Sequence, residues 1–142
     1  MTDIYAIGAH ELRTIPPDIV HCILREILVE AEARELNARV ATYATDVGGG
    51  LFAIYDLSLF SRISAGVRNI LIEGTAPSPY AGIALIGASF TTRTFVDMLA
   101  RAAKVVARNP MAFPHKFVKS PEEAFLWFDL LRTERRTQGD GP

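Results

Sequence analysis

The chain of 142 residues contains one cysteine, one tryptophan and three histidines. A single thiol, Cys22, forms no intrachain disulfide and completes no CxxC metal pair, so neither an oxidised scaffold nor a zinc knuckle is expected. It lies inside the apolar run Ile19-Val20-His21-Cys22-Ile23-Leu24, where a lone thiol behaves as a small buried hydrophobe. His10, His21 and His115 are scattered and lack the close helical pairing of metal motifs, so no metal and no other cofactor is assigned. Neither sign of charge is in excess. Lys+Arg of 15 against Asp+Glu of 16 leaves a formal charge of -1, which provides no field to hold a polyanion and argues against nucleic acid as a partner. No apolar run approaches the roughly 18 residues of a membrane span. The start, MTDIYAIGAHELR, lacks the basic segment and apolar core of a secretory leader, and a cytoplasmic location is expected. There is no G-x-S-x-G elbow for a serine nucleophile, no second acid tied to Asp56 by spacing and no internal repeat.

What is present is an ordinary globular composition, with 49% hydrophobic and 22% charged residues. The length suits one domain, expected over residues 1–132, with the polar segment TERRTQGDGP at 133–142 as a flexible tail. Ile4 to Ile7 and His10 to Thr14 read as short strands. Pro16-Pro17 then leads extended into Asp18 to Leu24, apolar almost throughout, as a strand covered on both faces would be. Beyond Leu28 the period changes. Ala33, Leu36, Val40, Tyr43 and Val47 fall at helical spacings and predict an amphipathic helix that ends at Gly48-Gly49-Gly50.

Leu51 to Tyr55 reads as the next strand with Asp56 at its exit, and Ser64 to Glu73 as a helix with Gly74 as its stop. After a turn at Thr75 to Pro79, Ala81 to Ile86 is another buried strand. Phe95, Leu99, Ala102 and Val106 mark one face of a third helix, which Asn109-Pro110 ends. His115 to Val118 is a last strand, and Ser120-Pro121-Glu122-Glu123 is a capping box opening a final helix whose inner face is Ala124, Phe125, Phe128 and Leu131. Trp127 falls off that stripe and is the better interface candidate. Strands alternating with helices predict an α/β fold: a mixed sheet with an initial hairpin, parallel βα units and about four helices.

In this order, "IPPDIVHCILR", "YDLS" with "ISAGVRN", "YAGIALIGASFTTRTFVDML" and "KFVKSPEEAFLWF" resemble the STAS domain family, more closely its SpoIIAA-like (STAS/SEC14) branch of small bacterial proteins. The likeness spans residues 10 to 132. It implies a STAS-like regulatory module of the anti-sigma-antagonist kind, acting through protein contacts rather than catalysis. The STAS signature places an acid and two serines at the helix start. Here those positions hold Ile63, Ser64 and Ala65, so the usual phosphate acceptor is an alanine and the phospho-switch does not carry over.

Two groups of candidate residues follow. Ser64, Gly66 and Arg68 form the turn that would meet a partner; a phosphate on Ser64 would add about −1.5 to −2 charges, whereas a plain N-cap there would stabilise the helix by about 1 kcal/mol. Gly87, Ser89, Thr91, Thr92 and Arg93 lie where a strand meets a helix and could hold an anion, or could merely cap the helix. In a parallel sheet the two groups would share the carboxyl edge. The alternative function is therefore a carrier or sensor of a small anionic or lipid ligand, its head at Gly87 to Arg93 and its chain in an apolar cleft. A homodimer is a further expectation, since symmetric pairs are the commonest assemblies.

Overall fold

The computed structural model describes residues 2–73, 79–107 and 114–139. Among them the order is β1 (Ile4–Ile7), β2 (His10–Ile15), β3 (Ile19–Leu28), α1 (Glu30–Val47), β4 (Leu51–Ile63), α2 (Val67–Glu73), β5 (Tyr80–Ile86), α3 (Phe90–Ala107), β6 (His115–Val118) and α4 (Pro121–Gly139). The strands make one six-stranded sheet in sequence order. β1, β2 and β3 pair antiparallel, and β3 to β6 pair parallel, which is the mixed α/β class expected from the alternation of periods.

Because each parallel strand is added on the same side of the last, right-handed crossovers carry α1, α2 and α3 across one face of the sheet. The strands therefore have two apolar faces. On β4, Leu51, Ala53 and Leu57 pack under those helices with Leu36, Val40 and Leu99, while Phe52 and Ile54 face the other way. After β6 the chain returns over that second face as α4, whose Ala124 and Phe128 seal Phe52, Ile54, Ala84 and Val118. The Phe52 and Phe128 rings lie 4.9 Å apart, and Gly82 leaves room for Trp127 and Leu131 beside them.

Helix ends follow from local chemistry. Gly48 adopts φ 80 and closes α1 through its amide, which bonds to Ala44 O at 3.0 Å. At the other end Glu32 Oε1 accepts the Val29 amide at 3.1 Å and the buried His10 Nε2 at 3.0 Å. His10 Nδ1 accepts the Arg25 amide, so its proton sits on Nε2, and the imidazole ties the β1–β2 turn to α1. For α4, Ser120 Oγ accepts the Glu123 amide and Glu123 Oε2 accepts the Lys119 amide, a capping box shifted by one residue on its return arm. Arg132 then forks onto Asp18 at 2.5 and 3.3 Å with its guanidinium 4.7 Å above the Phe52 ring, fastening α4 to the start of β3.

Four expectations change. β4 does not stop at Tyr55 but runs to Ile63, so Asp56 is inside a strand. The helix expected from Ser64 begins at Val67. The segment expected as a tail from Thr133 is helical through Gly139. Trp127, expected to stand clear, packs beside Phe128 with ring centroids 5.8 Å apart, and the exposed apolar residues of α4 are Leu126 and Leu130. The stops at Gly74 and Asn109-Pro110, the turn at Thr75 to Ser78 and the Val106 side chain lie outside the described residues.

The α4 seal is testable by truncation. Phe128→Ala should lower the unfolding free energy by about 3–5 kcal/mol in urea denaturation, while Leu126→Ala should stay within about 0.5 kcal/mol of the parent.

Candidate functional site

The candidate residues sit at two levels of the sheet because β4 outruns its neighbour. Pairing between β4 and β5 ends at Asp56 opposite Ile86, whereas pairing between β3 and β4 continues to Leu28 opposite Ile63. The last turns of β3 and β4 thus form a two-stranded ribbon that projects beyond β5. Within it β4 carries two extra residues: Ile23 to Arg25 spans Asp56 to Leu59, and Glu26 to Ile27 spans Phe60 to Arg62. Each insertion lengthens the inward repeat from two residues to three. Leu57, Phe60 and Ile63 consequently all face the helices, with Leu59 left 61% exposed on the outside. Glu26, at φ 54, marks the bend on the β3 side.

Ser64 closes the ribbon. Its amide bonds to Leu28 O at 2.9 Å and its carbonyl accepts the Val67 amide at 3.3 Å, so Ser64 bridges strand and helix instead of capping α2 through its side chain. Gly66 stands at φ 87 against the Glu30 carboxylate, where a Cβ would collide, and Ala65, Gly66 and Arg68 are exposed. Gly87 is not beside this turn. It abuts Ser58, six residues earlier on β4 and so up to about 20 Å lower along the strand. β4 and β5 are adjacent and parallel, so both groups follow the carboxyl ends of neighbouring strands, with Ser64 set further along because β4 continues past Asp56.

The Gly87 to Arg93 turn spends its polar groups locally. Ser89 Oγ accepts the Thr92 amide at 3.2 Å and lies 3.0 Å from Thr92 Oγ1, which caps α3. Arg93 Nε donates to Ala88 O at 3.3 Å, and its guanidinium lies 5.1 Å from the Phe117 ring centroid. Thr91 is exposed. Thr92, itself buried, lines a cavity.

That cavity, of about 130 Å³, lies between the ribbon and the three helices, walled by Leu28, Phe60 and Ile63 on one side and Leu36, Leu71 and Leu99 on the other. Its polar groups are few. Asn37 Nδ2 is held by Ile70 O at 3.2 Å, and Thr92 is engaged with Ser89. The remaining pair is Tyr55 and Tyr80, whose hydroxyl oxygens lie 2.6 Å apart. Burial pushes both phenols above their ordinary range and pushes the neighbouring Cys22 thiol up to about 12, so all three are neutral near pH 7. Sequence reasoning missed this pair. The only signal was a phenol inside each of two otherwise apolar strands.

Asp56 points to the opposite face, where its Oδ1 accepts the Ser58 amide at 3.0 Å. His21, on the same face, has a buried Nε2 without a hydrogen-bond partner among the described residues. Burial, and then the Arg13 charge, hold its pKa below the ordinary value, against opposing pulls from Asp56 and Glu11.

No protein-family model and no curated protein matches the chain. Solved structures do. An uncharacterized protein of the DUF3478 family with a SpoIIAA-like fold, from Shewanella loihica PV-4, superposes with a TM-score of 0.59 at 14% identity, over 89% of this chain and 94% of that one. The anti-sigma factor antagonist SpoIIAA in its unphosphorylated form gives a TM-score of 0.56 at 14% identity, over 87% of this chain and 98% of that one. The fold is SpoIIAA-like. At 14% identity the likeness concerns backbone architecture, and this SpoIIAA-like sheet owes its site chemistry to its own side chains.

His21 makes stability depend on pH. Its folded pKa lies below the unfolded value of about 6.5, so the unfolded chain takes the proton first and stability falls as pH drops through that value. Melting temperatures from pH 7.5 to 5 should decline less for His21→Gln than for the parent.

Proposed function

We propose that the chain is a binding module with a regulatory role, making protein contacts through the ribbon tip and the start of α2. The observation that carries this reading is the turn at Ser64 to Arg68. It presents Ala65, Gly66 and Arg68 to solvent at the end of a projecting ribbon, and Gly66 is required there by its backbone angle and by Glu30. The SpoIIAA-like architecture supports it, since one similar structure is described as an anti-sigma factor antagonist. With Ala65 in place of the usual acceptor, contact is governed by partner availability and not by a phosphate at that position. Asp56 is tied to a backbone amide, which suits a structural role better than a catalytic one.

A second reading is a small-molecule carrier or sensor, and the apolar cavity favours it. An anionic head at Gly87 to Arg93 fits less well, because Ser89, Thr92 and Arg93 already bond one another or the backbone.

The contact reading is tested by affinity capture from the host lysate. Ser64→Asp and Arg68→Glu should each lose a protein that the parent retains, with melting temperatures within a few degrees of the parent. Retention of the same protein by both variants would move the contact away from this turn.

A further inference from the structure

A second cavity runs along α1 away from the ribbon tip, in the groove between that helix and the β1–β2 hairpin. Its volume is about 740 Å³, within the roughly 300–1,000 Å³ of small-molecule sites. We propose that this groove binds a small organic cation, an amine or guanidinium on a compact apolar frame, held over the Tyr43 ring between Asp3 and Asp46.

One wall is a stripe of α1. Glu35, Arg39, Thr42 and Asp46 follow one another at spacings of four, three and four, which sets them on one side of the helix. Asp3, just before β1, and Tyr5 on that strand line the groove from the hairpin. Backbone bonds hold Asp3 in place: its amide donates to Thr14 Oγ1 at 3.1 Å and its carbonyl accepts the Thr14 amide at 2.9 Å. Among the described lining residues three carboxylates face one guanidinium, a balance that repels anions and attracts cations.

One half of the groove already holds a cation. The Arg39 guanidinium lies 4.3 Å from the Tyr5 ring centroid, and its Nε lies 3.5 Å from Glu35 Oε1, so a phenol face and a carboxylate share one positive charge. The other half repeats the parts without the cation. Tyr43 offers a second phenol ring and Asp3 and Asp46 the carboxylates, neither of which has a hydrogen-bond or ion-pair partner among the described residues. Burial, and then the Asp18 and Asp3 carboxylates, push the Tyr43 phenol above its ordinary range, which marks a negative field at its hydroxyl. Asp18 is paired with Arg132, which leaves Asp3 to the groove.

The surroundings favour an organic cation over a metal ion. No group of three or more acids, histidines or thiols converges among the described residues, whereas a divalent ion takes about six oxygen ligands. Two rings, with Leu12, Pro17 and Val47, instead offer contact to a carbon frame. Glu30 abuts Gly66, and from there to Asp46 the helix rises about 24 Å at about 1.5 Å per residue, so an occupied groove leaves the proposed contact turn uncovered.

The test titrates the full chain with benzamidine, benzylamine, benzyl alcohol, benzoate and calcium chloride, followed by amide NMR shifts. Benzamidine and benzylamine should bind saturably, with shifts centred on Tyr5, Tyr43 and Asp46, and benzyl alcohol about tenfold more weakly. Exposed carboxylates are worth about threefold each in affinity, so Asp3→Asn and Asp46→Asn should each weaken benzamidine about threefold and leave benzyl alcohol within about twofold. Raising NaCl from about 20 to about 500 mM should weaken the two cations and not the alcohol, a readout that needs no variant. Thr42→Arg, which supplies a cation from α1 as Arg39 does, should abolish benzamidine binding. Equal binding of benzyl alcohol or benzoate, or no binding of either organic cation, would overturn the proposal. Calcium shifting the same amides while the organic cations do not would make the groove a metal site and overturn the ligand class. A Gly-Arg-Gly peptide binding tenfold or more tightly than benzamidine would assign the groove to a protein's arginine and overturn the small-molecule class. Benzamidine binding untouched by all three variants would place the site elsewhere and overturn the assignment.

Discussion

Everything in this fold depends on one constraint of handedness. Successive parallel strands are laid down in a single direction from β3 to β6, and right-handed connections then have no choice but to put α1, α2 and α3 on the same face. Three helices on one side leave the other side bare from β4 to β6. α4 is the answer to that deficit, and its Phe128 on Phe52, with Arg132 gripping Asp18, completes a layered structure whose two cores meet only through the sheet. Removing the last helix would expose a continuous strip of apolar strand residues.

The crowded face has its own consequence. Packing three helices against a twisted sheet leaves a gap where the outer ends of the strands diverge, and the ribbon of β3 and β4 bends over to close most of it. The closure is incomplete in volume but nearly complete in polarity. Among the described residues of its lining, the two phenols, the Asn37 amide and the Thr92 hydroxyl interrupt hydrocarbon, and each of these is already hydrogen-bonded. A pocket of this character arises from the mismatch between helix and strand packing and needs no specialised motif.

That explains what could be read from the residues alone and what could not. Runs such as Ile19 to Leu24 and Ala81 to Ile86 declare buried parallel strands, and the spacing of Ala33, Leu36 and Val40 declares α1, because burial on two faces or on one stripe leaves a direct imprint on residue type. The stretch from Leu57 to Ile63 hides its strand for an equally physical reason. Two inserted residues convert the alternation of a strand into a repeat of three, so Leu57, Phe60 and Ile63 resemble neither a regular strand nor a clean helix. Serine favours caps, so the residue pattern sets the start of α2 at Ser64, although Gly66 makes the turn and the helix begins at Val67. The cavity left no trace in the sequence because Leu36, Phe60 and Leu99 look like any core residues; a void is a property of what packing fails to fill. Tyr55 and Tyr80 meet through their hydroxyls although the register sets Tyr80 opposite Leu51 and Tyr55 opposite Leu85, a contact that linear order does not reveal.

The inserted residues of β4 bear on solubility as well. Beyond Asp56 the strand presents an edge with no described strand beside it, a natural template for addition of a foreign chain. A regular edge of that length would offer evenly spaced donors and acceptors along seven residues. Here the two insertions break the spacing and curl the backbone, so an incoming straight strand finds no lengthy register to match. The irregularity that walls the cavity also guards the protein against building fibres from its own longest strand.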